Sequence, residues 1–384
     1  MKLNLAFCIF KYYPFGGLEK NFFRIVEEVL NRGHSITVYT MKWEGDYPED
    51  TSENFKVKII PPKGLSNHSR CFNFYHEIKE KLTKEKFDLI VGFNKMPGLD
   101  LYYCADVCFK YESRKNKPFW FFWTPRYKVY SQFEKSVFSK NSSAAILALS
   151  HIQKDIYMHE YDITHDRFFS VPAGIDKKNI RIVVDSGKKI HFRSGFGVNN
   201  DENMLIMIGS DFKRKGVLRS LEAIAALPLD IKQKTKLFVL GRGKEKIIRK
   251  YAASLGIESQ LFLQGGVDNV PQYLASADLL LHPALAENTG NAIVEALIAG
   301  VPAIATDNCG YAFHILEAHA GYVIPGESFS QKKFNEVLLE FLKLDNNNRT
   351  LLSTNAYEYA DRVDFYSRPS AIADVIESLI NQNK

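Results

Sequence analysis

From Lys2 to Phe93 the apolar residues switch between two spacings. Lys2–Phe10 is a nearly continuous apolar run, the pattern of a strand buried on both faces. The glycine-containing loop Tyr13–Gly17 follows. Over Leu18–Arg32, Phe22, Ile25, Val26 and Val29 then recur at helical spacing, and Gly33 ends the segment. Ser35–Met41 and Lys56–Ile60 are rich in β-branched residues and predict strands, Phe72–Lys84 predicts a helix, and Leu89–Phe93 predicts another strand. Strands alternating with helices imply a parallel sheet covered by helices on both faces.

The second half repeats the pattern. Asn203–Gly209, Lys236–Leu240, Leu261–Gln264, Leu279–His282 and Ala303–Thr306 predict strands, and Val217–Leu227 a helix after the first of them. The fold class is therefore α/β: two tandem Rossmann-like, doubly wound domains, placed at residues 1–180 and 181–365, with the boundary in the polar stretch Asp176–Asp201. A last helix near Ser370–Asn381 lies in the remaining segment, 366–384. Ligands of such sheets bind beyond the carboxyl ends of the strands, and pockets favour domain interfaces, so one cleft between the halves is expected.

Composition narrows the class. At 46% hydrophobic and 24% charged the chain of 384 residues reads as globular, and no run approaches the roughly 18 apolar residues of a membrane-spanning helix. Met1–Phe10 is too short for a signal peptide, and a cytoplasmic protein is expected. The five cysteines (Cys8, Cys71, Cys104, Cys108 and Cys309) have no zinc-ligand spacing and read as buried thiols. A net charge of +6 suits an anionic partner without specifying nucleic acid, for which no binding motif is visible.

Candidate chemistry concentrates in Leu279–Pro302. A strand ends at His282, a polar loop carries Glu287, Gly290 allows close backbone approach, and a helix opening near Asn291 carries Glu295. The first amides of a helix and its dipole suit a phosphate, and a carboxylate suits a pair of sugar hydroxyls. Glu287 and Glu295 would thus hold the two sugar rings that flank a diphosphate. Gly209–Gly216 likewise follows a strand and opens a helix, and its Arg214 and Lys215 are unfavourable at a helix start unless an anion binds there. Gly241-Arg242-Gly243 fits a tight turn as well as it fits a nucleotide contact. Gly16 and Gly17 offer amides to a phosphate. Asp106, after a short apolar strand, reads as an acid near the reacting group or as a helix N-cap.

Glu287-x7-Glu295 with Gly290 and Ala299-Gly300-Val301-Pro302 resembles the donor signature of retaining glycosyltransferases of the two-domain GT-B fold. The phrases FCIFKYYPFGGLEKN, YTMKWEGDYP, GFNKMPGLDLYY and GSDFKRKGV narrow the resemblance, along most of the chain, to the lipopolysaccharide core glucosyltransferase I family of Gram-negative bacteria. That resemblance implies transfer of glucose from UDP-glucose to a heptose of the inner core, with retention. The sugar nucleotide is then a substrate, and no metal or other cofactor is called for. It implies that Glu287 contacts the transferred sugar and Glu295 the ribose, with the backbone of Asn288, Thr289, Gly290, Asn291 and Ala292 at the hexose and diphosphate. Thr289 stands where an aromatic residue is common, and Ser210 where an arginine is, so Arg214 becomes the second cation beside Lys215. Asp106, Asn94 and Lys95 fall on the acceptor side, and the last helix is expected to cross back to the first domain. Another nucleotide sugar or acceptor on the same fold, or a nucleotide-sugar epimerase, are the alternatives. A non-catalytic lipid- or polysaccharide-binding protein would have no reason to keep Glu287, Gly290 and Glu295 together.

Lys110–Lys140 carries eight basic residues against two acidic ones and encloses Pro118-Phe119-Trp120-Phe121-Phe122-Trp123. Aromatic rings beside cations suit an anionic bilayer surface. Lys115, Lys117, Trp120, Phe121, Phe122, Trp123, Arg126 and Lys128 are the expected contacts, on the inner face of the cytoplasmic membrane, where a lipid-linked acceptor would be met. A core role for the aromatics is the competing reading.

Overall fold

The computed structural model describes residues 2–14, 16–47, 53–176, 182 and 186–382. Its contacts divide into two units, Met1–Gly174 with Ser367–Lys384, and Ile175–Tyr366. The expected boundary at 180/181 lies outside the described residues; the contacts change hands at Gly174.

The first unit is a seven-stranded parallel sheet. Its strands are β1 (Asn4–Cys8), β2 (Ser35–Thr40), β3 (Phe55–Ile59), β4 (Leu89–Gly92), β5 (Leu101–Cys104), β6 (Ala145–Ala148) and β7 (Phe168–Ser170), in the order β3-β2-β1-β4-β5-β6-β7. Helices α1 (Gly17–Asn31), α2 (Asn67–Lys84), α3 (Phe109–Asn116), α4 (Pro125–Phe138) and α5 (His151–Tyr161) connect them, with a 3-10 segment, Phe119–Trp123, between α3 and α4. The α2 helix starts five residues before the predicted Phe72, because Ser66 and Ser69 form a reciprocal capping box. β1 shows why its sequence is apolar throughout. Leu5 and Phe7 join the cluster containing Phe22, Ile25 and Val29 of α1, while Ala6 and Cys8 join that of Phe74, Phe133 and Phe138 on the other face.

The second unit contains α6 (Ser186–Gly195), β8 (Asn203–Ile208), α7 (Val217–Ala225), α8 (Leu229–Gln233), β9 (Thr235–Leu240), α9 (Glu245–Ser254), β10 (Leu261–Gly265), α10 (Val270–Ser276), β11 (Leu279–His282), α11 (Asn291–Ile298), β12 (Ala303–Thr306), α12 (Phe313–Glu317), β13 (Gly321–Ile324), α13 (Gln331–Leu342) and α14 (Asn346–Arg362). Its six parallel strands run β10-β9-β8-β11-β12-β13. The stretch read as a linker is thus partly helical. α6 packs on α10, and the buried Arg193 guanidinium holds the Ser276 carbonyl and the Asp278 carboxylate, both at 2.9 Å. An anchor made by a charged side chain leaves no apolar period to read.

The last helix, α15 (Arg368–Gln382), belongs to the first unit and packs on α1. Ile372, Ala373, Ile376 and Ile380 enter the β1 cluster. Arg32 reaches Asp374 at 2.6 Å and Glu377 at 3.3 Å, and His34 Nε2 meets Glu377 at 3.0 Å. His34 Nδ1 accepts from the Leu3 amide, so Nε2 carries the proton and donates. The hydrogen bond from His34 and the charge of Arg32 hold the Glu377 carboxyl below the usual range. A depressed folded value contributes stability above the ordinary glutamate pKa of about 4.3 and loses it as pH falls through the folded value. Glu377→Gln should therefore cost under about 1 kcal/mol at pH 7, the pair being partly solvated. In urea melts the gap to wild type should close as pH falls towards about 3, and a gap independent of pH would contradict this.

Candidate functional site

In both units the strand order reverses beside the first strand, between β1 and β4 and between β8 and β11. The loops leaving these neighbouring strands diverge and open a crevice at their carboxyl ends. In the second unit the two loops are Gly209–Gly216 and Pro283–Gly290.

These loops meet in a cluster of three charges. Lys215 Nζ and Arg214 Nη1 each lie 2.6 Å from Glu287 Oε2. Only 13% of the Glu287 side chain is exposed. Burial by itself would raise its pKa, but Lys215 and Arg214 more than offset that and hold it ionised, below the ordinary range. Gly209 makes the approach possible, since a Cβ there would sit 2.8 Å from Lys215 Cε. The loops are also joined by backbone, Leu285 N donating to Arg214 O at 2.8 Å. Asp211, in the left-handed region at φ 63°, accepts from Arg214 Nε at 3.3 Å and aims the guanidinium. A third loop holds the Glu287 loop: Glu287 N donates to Asn308 O, Asn308 Nδ2 to Leu285 O, and Tyr311 N to Thr289 O.

Gly290 caps α11 at φ 88°, a conformation in which a side chain is strained. The Asn291 and Ala292 amides at the start of α11 have no carbonyl partners within the helix, while the Ile293 amide donates to the Gly290 carbonyl at 2.9 Å. Asn291 and Glu295, four apart, share its half-exposed face, while Ala292, Ile293, Val294 and Ala296 are buried. Asn288 and Ala292 are buried beside the loop. Ser210 Oγ accepts from the Arg242 amide at 3.4 Å, and Gly241 packs against the Gly209 carbonyl.

Both ring nitrogens of His282 and Asn291 Oδ1 are buried here with no hydrogen-bond partner among the described residues. Burial, reinforced by the Lys215 charge, lowers the His282 pKa to about 3, so the ring is neutral. Neither His282 nor Asp211 was singled out from the sequence. The first reads as the polar end of a buried strand, and the second needs its backbone angle to be noticed.

In the first unit Gly16 and Gly17 cap and open α1, but the carboxylate of Glu19 folds over Gly16, where a Cβ would meet Glu19 Oε2 at 1.8 Å. The helix start expected to take a phosphate is thus covered by the protein's own acid. Phe15 of the same loop lies outside the described residues.

Asn94, Lys95 and Asp106 come together around a cavity of about 360 Å3 whose walls include Phe109, Tyr130 and Phe133. Asn94 Oδ1 accepts from the Phe10 amide at 2.7 Å, joining the β4 loop to the β1 loop. Asp106 is exposed, and the N-cap of α3 is Cys108, which removes the capping explanation for Asp106. Lys95 lines the same cavity, and its ammonium donates to buried Glu134 at 2.6 Å and to Val107 O at 3.0 Å.

The basic aromatic segment divides between core and surface. Phe119, Trp120 and Trp123 are exposed, Trp120 by 58% and Trp123 by 66%, whereas Phe121 is 8% exposed and packs on Phe109 and Tyr127. Phe122 is half-buried against Tyr127. Phe121 is accordingly a core residue, contrary to expectation, because a 3-10 turn points successive rings in different directions. Lys115, Lys117, Arg126 and Lys128 are exposed around the projecting rings, while Lys110 and Arg114 pair with Glu160. Among the described residues no helix is long and apolar enough to cross a membrane.

Comparison with known proteins matches both units to glycosyltransferase families. Residues 15–179 match the model of glycosyltransferase family 4, and residues 188–359 that of glycosyl transferases group 1. The chain is 40% identical over 374 residues to lipopolysaccharide glucosyltransferase WaaG of Escherichia coli, covering 97% of this chain and 98% of that one. A crystal structure of WaaG superposes with a TM-score of 0.90 at 39% identity, covering 97% of this chain and 99% of the other. Anabaena Alr3699/HepE, crystallised with UDP and glucose, shares the fold at a TM-score of 0.72 and 16% identity, covering 98% of this chain and 100% of the other. The charge cluster on the β8 and β11 loops is thus carried by a glycosyltransferase fold of two Rossmann-like units, GT-B, and the chain belongs to the glycosyltransferase family that includes lipopolysaccharide glucosyltransferase WaaG.

Proposed function

We propose that this enzyme transfers glucose from UDP-glucose to a heptose of the lipopolysaccharide inner core with retention, and that the Lys215–Glu287–Arg214 cluster is its donor site. The second unit takes the donor and the first the acceptor. The observation that carries the reading is the convergence of two cations and one carboxylate where the β8 and β11 loops meet, beside the open amides of α11. A sugar diphosphate needs both halves of that arrangement. Lys215, Arg214 and the α11 amides face the phosphates, and their charge grows in value as UDP departs and negative charge accumulates on it. Glu287, with Oε1 left for a hydroxyl, orients the hexose, and Glu295 the ribose. Cations and a helix start do the work of charge neutralisation, so the reading calls for no metal. The leaving diphosphate lies on the same face as the acceptor in a retaining front-side displacement and helps take its proton, while Asp106 orients the attacking hydroxyl.

The sugar and acceptor names rest on the similarity to WaaG. A donor screen with purified protein and truncated lipopolysaccharide, with the linkage read by NMR, tests them: turnover with UDP-glucose and an α-linked product are expected, and selective turnover of another sugar nucleotide would replace glucose. Lys215→Ala should lower kcat by about 10²–10³-fold and weaken UDP binding measured by calorimetry; unchanged UDP affinity would remove Lys215 from the site.

The same reading places the enzyme on the inner face of the cytoplasmic membrane through Phe119, Trp120, Trp123 and the surrounding Lys115, Lys117, Arg126 and Lys128. Interfacial rings supply apolar burial, and each cation near an anionic surface adds about 1 kcal/mol. Co-sedimentation with vesicles containing phosphatidylglycerol should fall at least about tenfold in Trp120→Ala/Trp123→Ala and fade with salt. Binding that survives both would show that the ridge is not the contact.

A further inference from the structure

The segment from Asp106 to Lys110 follows β5 and forms a wall of the cavity that also holds Asn94. Asp106–Cys108 is irregular backbone next to a buried core and runs into the first turn of α3, so its polar groups need partners, and side chains supply them. Tyr157 donates to the Asp106 carbonyl at 3.2 Å, Lys95 to the Val107 carbonyl at 3.0 Å, and Gln153 accepts from the Cys108 amide at 3.0 Å. The Phe109 and Lys110 amides, the first two of α3, donate to one carboxylate, that of Glu134, at 2.7 and 2.9 Å.

Glu134 is fully buried in the last turns of α4 and accepts bonds from several groups at once. Besides those two amides it accepts from Lys95 Nζ at 2.6 Å and from Tyr161 at 2.7 Å, with Tyr157 at 3.5 Å and the Cys108 thiol at 3.6 Å. Burial opposes its ionisation, but Lys95 and the donated bonds hold it charged, and it in turn keeps Lys95 protonated. The same α4 begins at Pro125, directly after the 3-10 turn that projects Trp120 and Trp123. Phe109, whose amide Glu134 holds, packs on Phe121 and Tyr127 on that side and lines the cavity on the other.

We infer that Glu134 is a positioning residue for the acceptor: it locks the Asp106-bearing loop and α3 to Lys95 and α4, so that the cavity and the exposed aromatic ridge form one rigid piece. An acceptor carried on a membrane lipid is thereby presented at a fixed depth relative to Asp106. The inference rests on the proposal that this cavity receives the acceptor saccharide. A misplacement of Asp106 by about 1 Å suffices for about a 10²-fold loss in transfer.

The test compares wild type, Glu134→Gln and Lys95→Met/Glu134→Gln in initial-rate kinetics with UDP-glucose and truncated lipopolysaccharide, alongside urea melts and UDP calorimetry. Glu134→Gln strands the Lys95 charge, so both stability and kcat/KM for the acceptor should fall, the latter by about 10–10²-fold, with UDP affinity unchanged. The double variant removes both charges. It should recover stability but not kcat/KM for the acceptor, because a glutamine has one acceptor oxygen where the carboxylate used two for the Phe109 and Lys110 amides, and the Lys95 bond to the Val107 carbonyl is also gone. Recovery of the two in parallel would make Glu134 a merely structural residue and overturn the inference, as would full transfer activity in Glu134→Gln. If wild type itself transfers to no lipopolysaccharide acceptor, it is the acceptor reading that fails, and the premise of the inference with it.

Discussion

A parallel sheet closes its strands with crossovers, and wherever the crossovers change direction two adjacent loops must part. That constraint operates twice in this chain, at β1/β4 and at β8/β11, and each candidate site is a consequence of it. The strands deliver Asn94 and the Phe10 amide to one opening and Lys215 and Glu287 to the other. Everything else serves to hold those loop ends still. Asp211, Asn308 and the Tyr311 amide brace the second opening; Glu134 braces the first through Lys95, and with Gln153 and Tyr157 it holds the adjoining loop after β5.

The two openings are braced by different physics. Around Glu287 the bracing is mostly backbone to backbone or short polar side chain to backbone, close to the strands, and of the three charged side chains only Arg214 is substantially exposed. Around Asp106 it is an enclosed network of Lys95, Glu134 and two tyrosines, with aromatic rings filling the remaining space. A buried ion pair is weak evidence of net stability, but removing one partner strands the other, so the two charges must stay together.

The architecture was legible wherever burial is carried by apolar periodicity. β1, α1, β11 and β12 announce themselves, and the alternation of strands and helices implies the two parallel sheets. Legibility failed where polar or very short elements do the same work. α6 is anchored by Arg193, β7 is three residues long, and the start of α2 is decided by a serine pair. Within the candidate sites, the residue types and the glycine of the donor segment stand out in the sequence, but the pairings do not. Nothing near Lys95 signals a partner 39 residues away, and nothing in the run from Phe119 to Trp123 tells a buried ring from an exposed one. The covering of Gly16 by Glu19 is equally a matter of three dimensions, since glycines before a helix look the same whether or not an acid folds back onto them.

The contact of Lys215 and Arg214 with a single oxygen of Glu287 has a consequence for the company this protein keeps in a cell. An opening lined only with cations would collect inorganic phosphate and nucleoside triphosphates, which are abundant. Here the positive charge is already answered by an internal acid. A simple anion entering the opening gains two cations but must crowd a carboxylate, and it brings no hydroxyls to satisfy it. A ligand carrying both phosphate and a sugar edge satisfies all three groups at once. On the proposed donor reading, the acid would be a filter as well as a contact, selecting among anions before any chemistry begins.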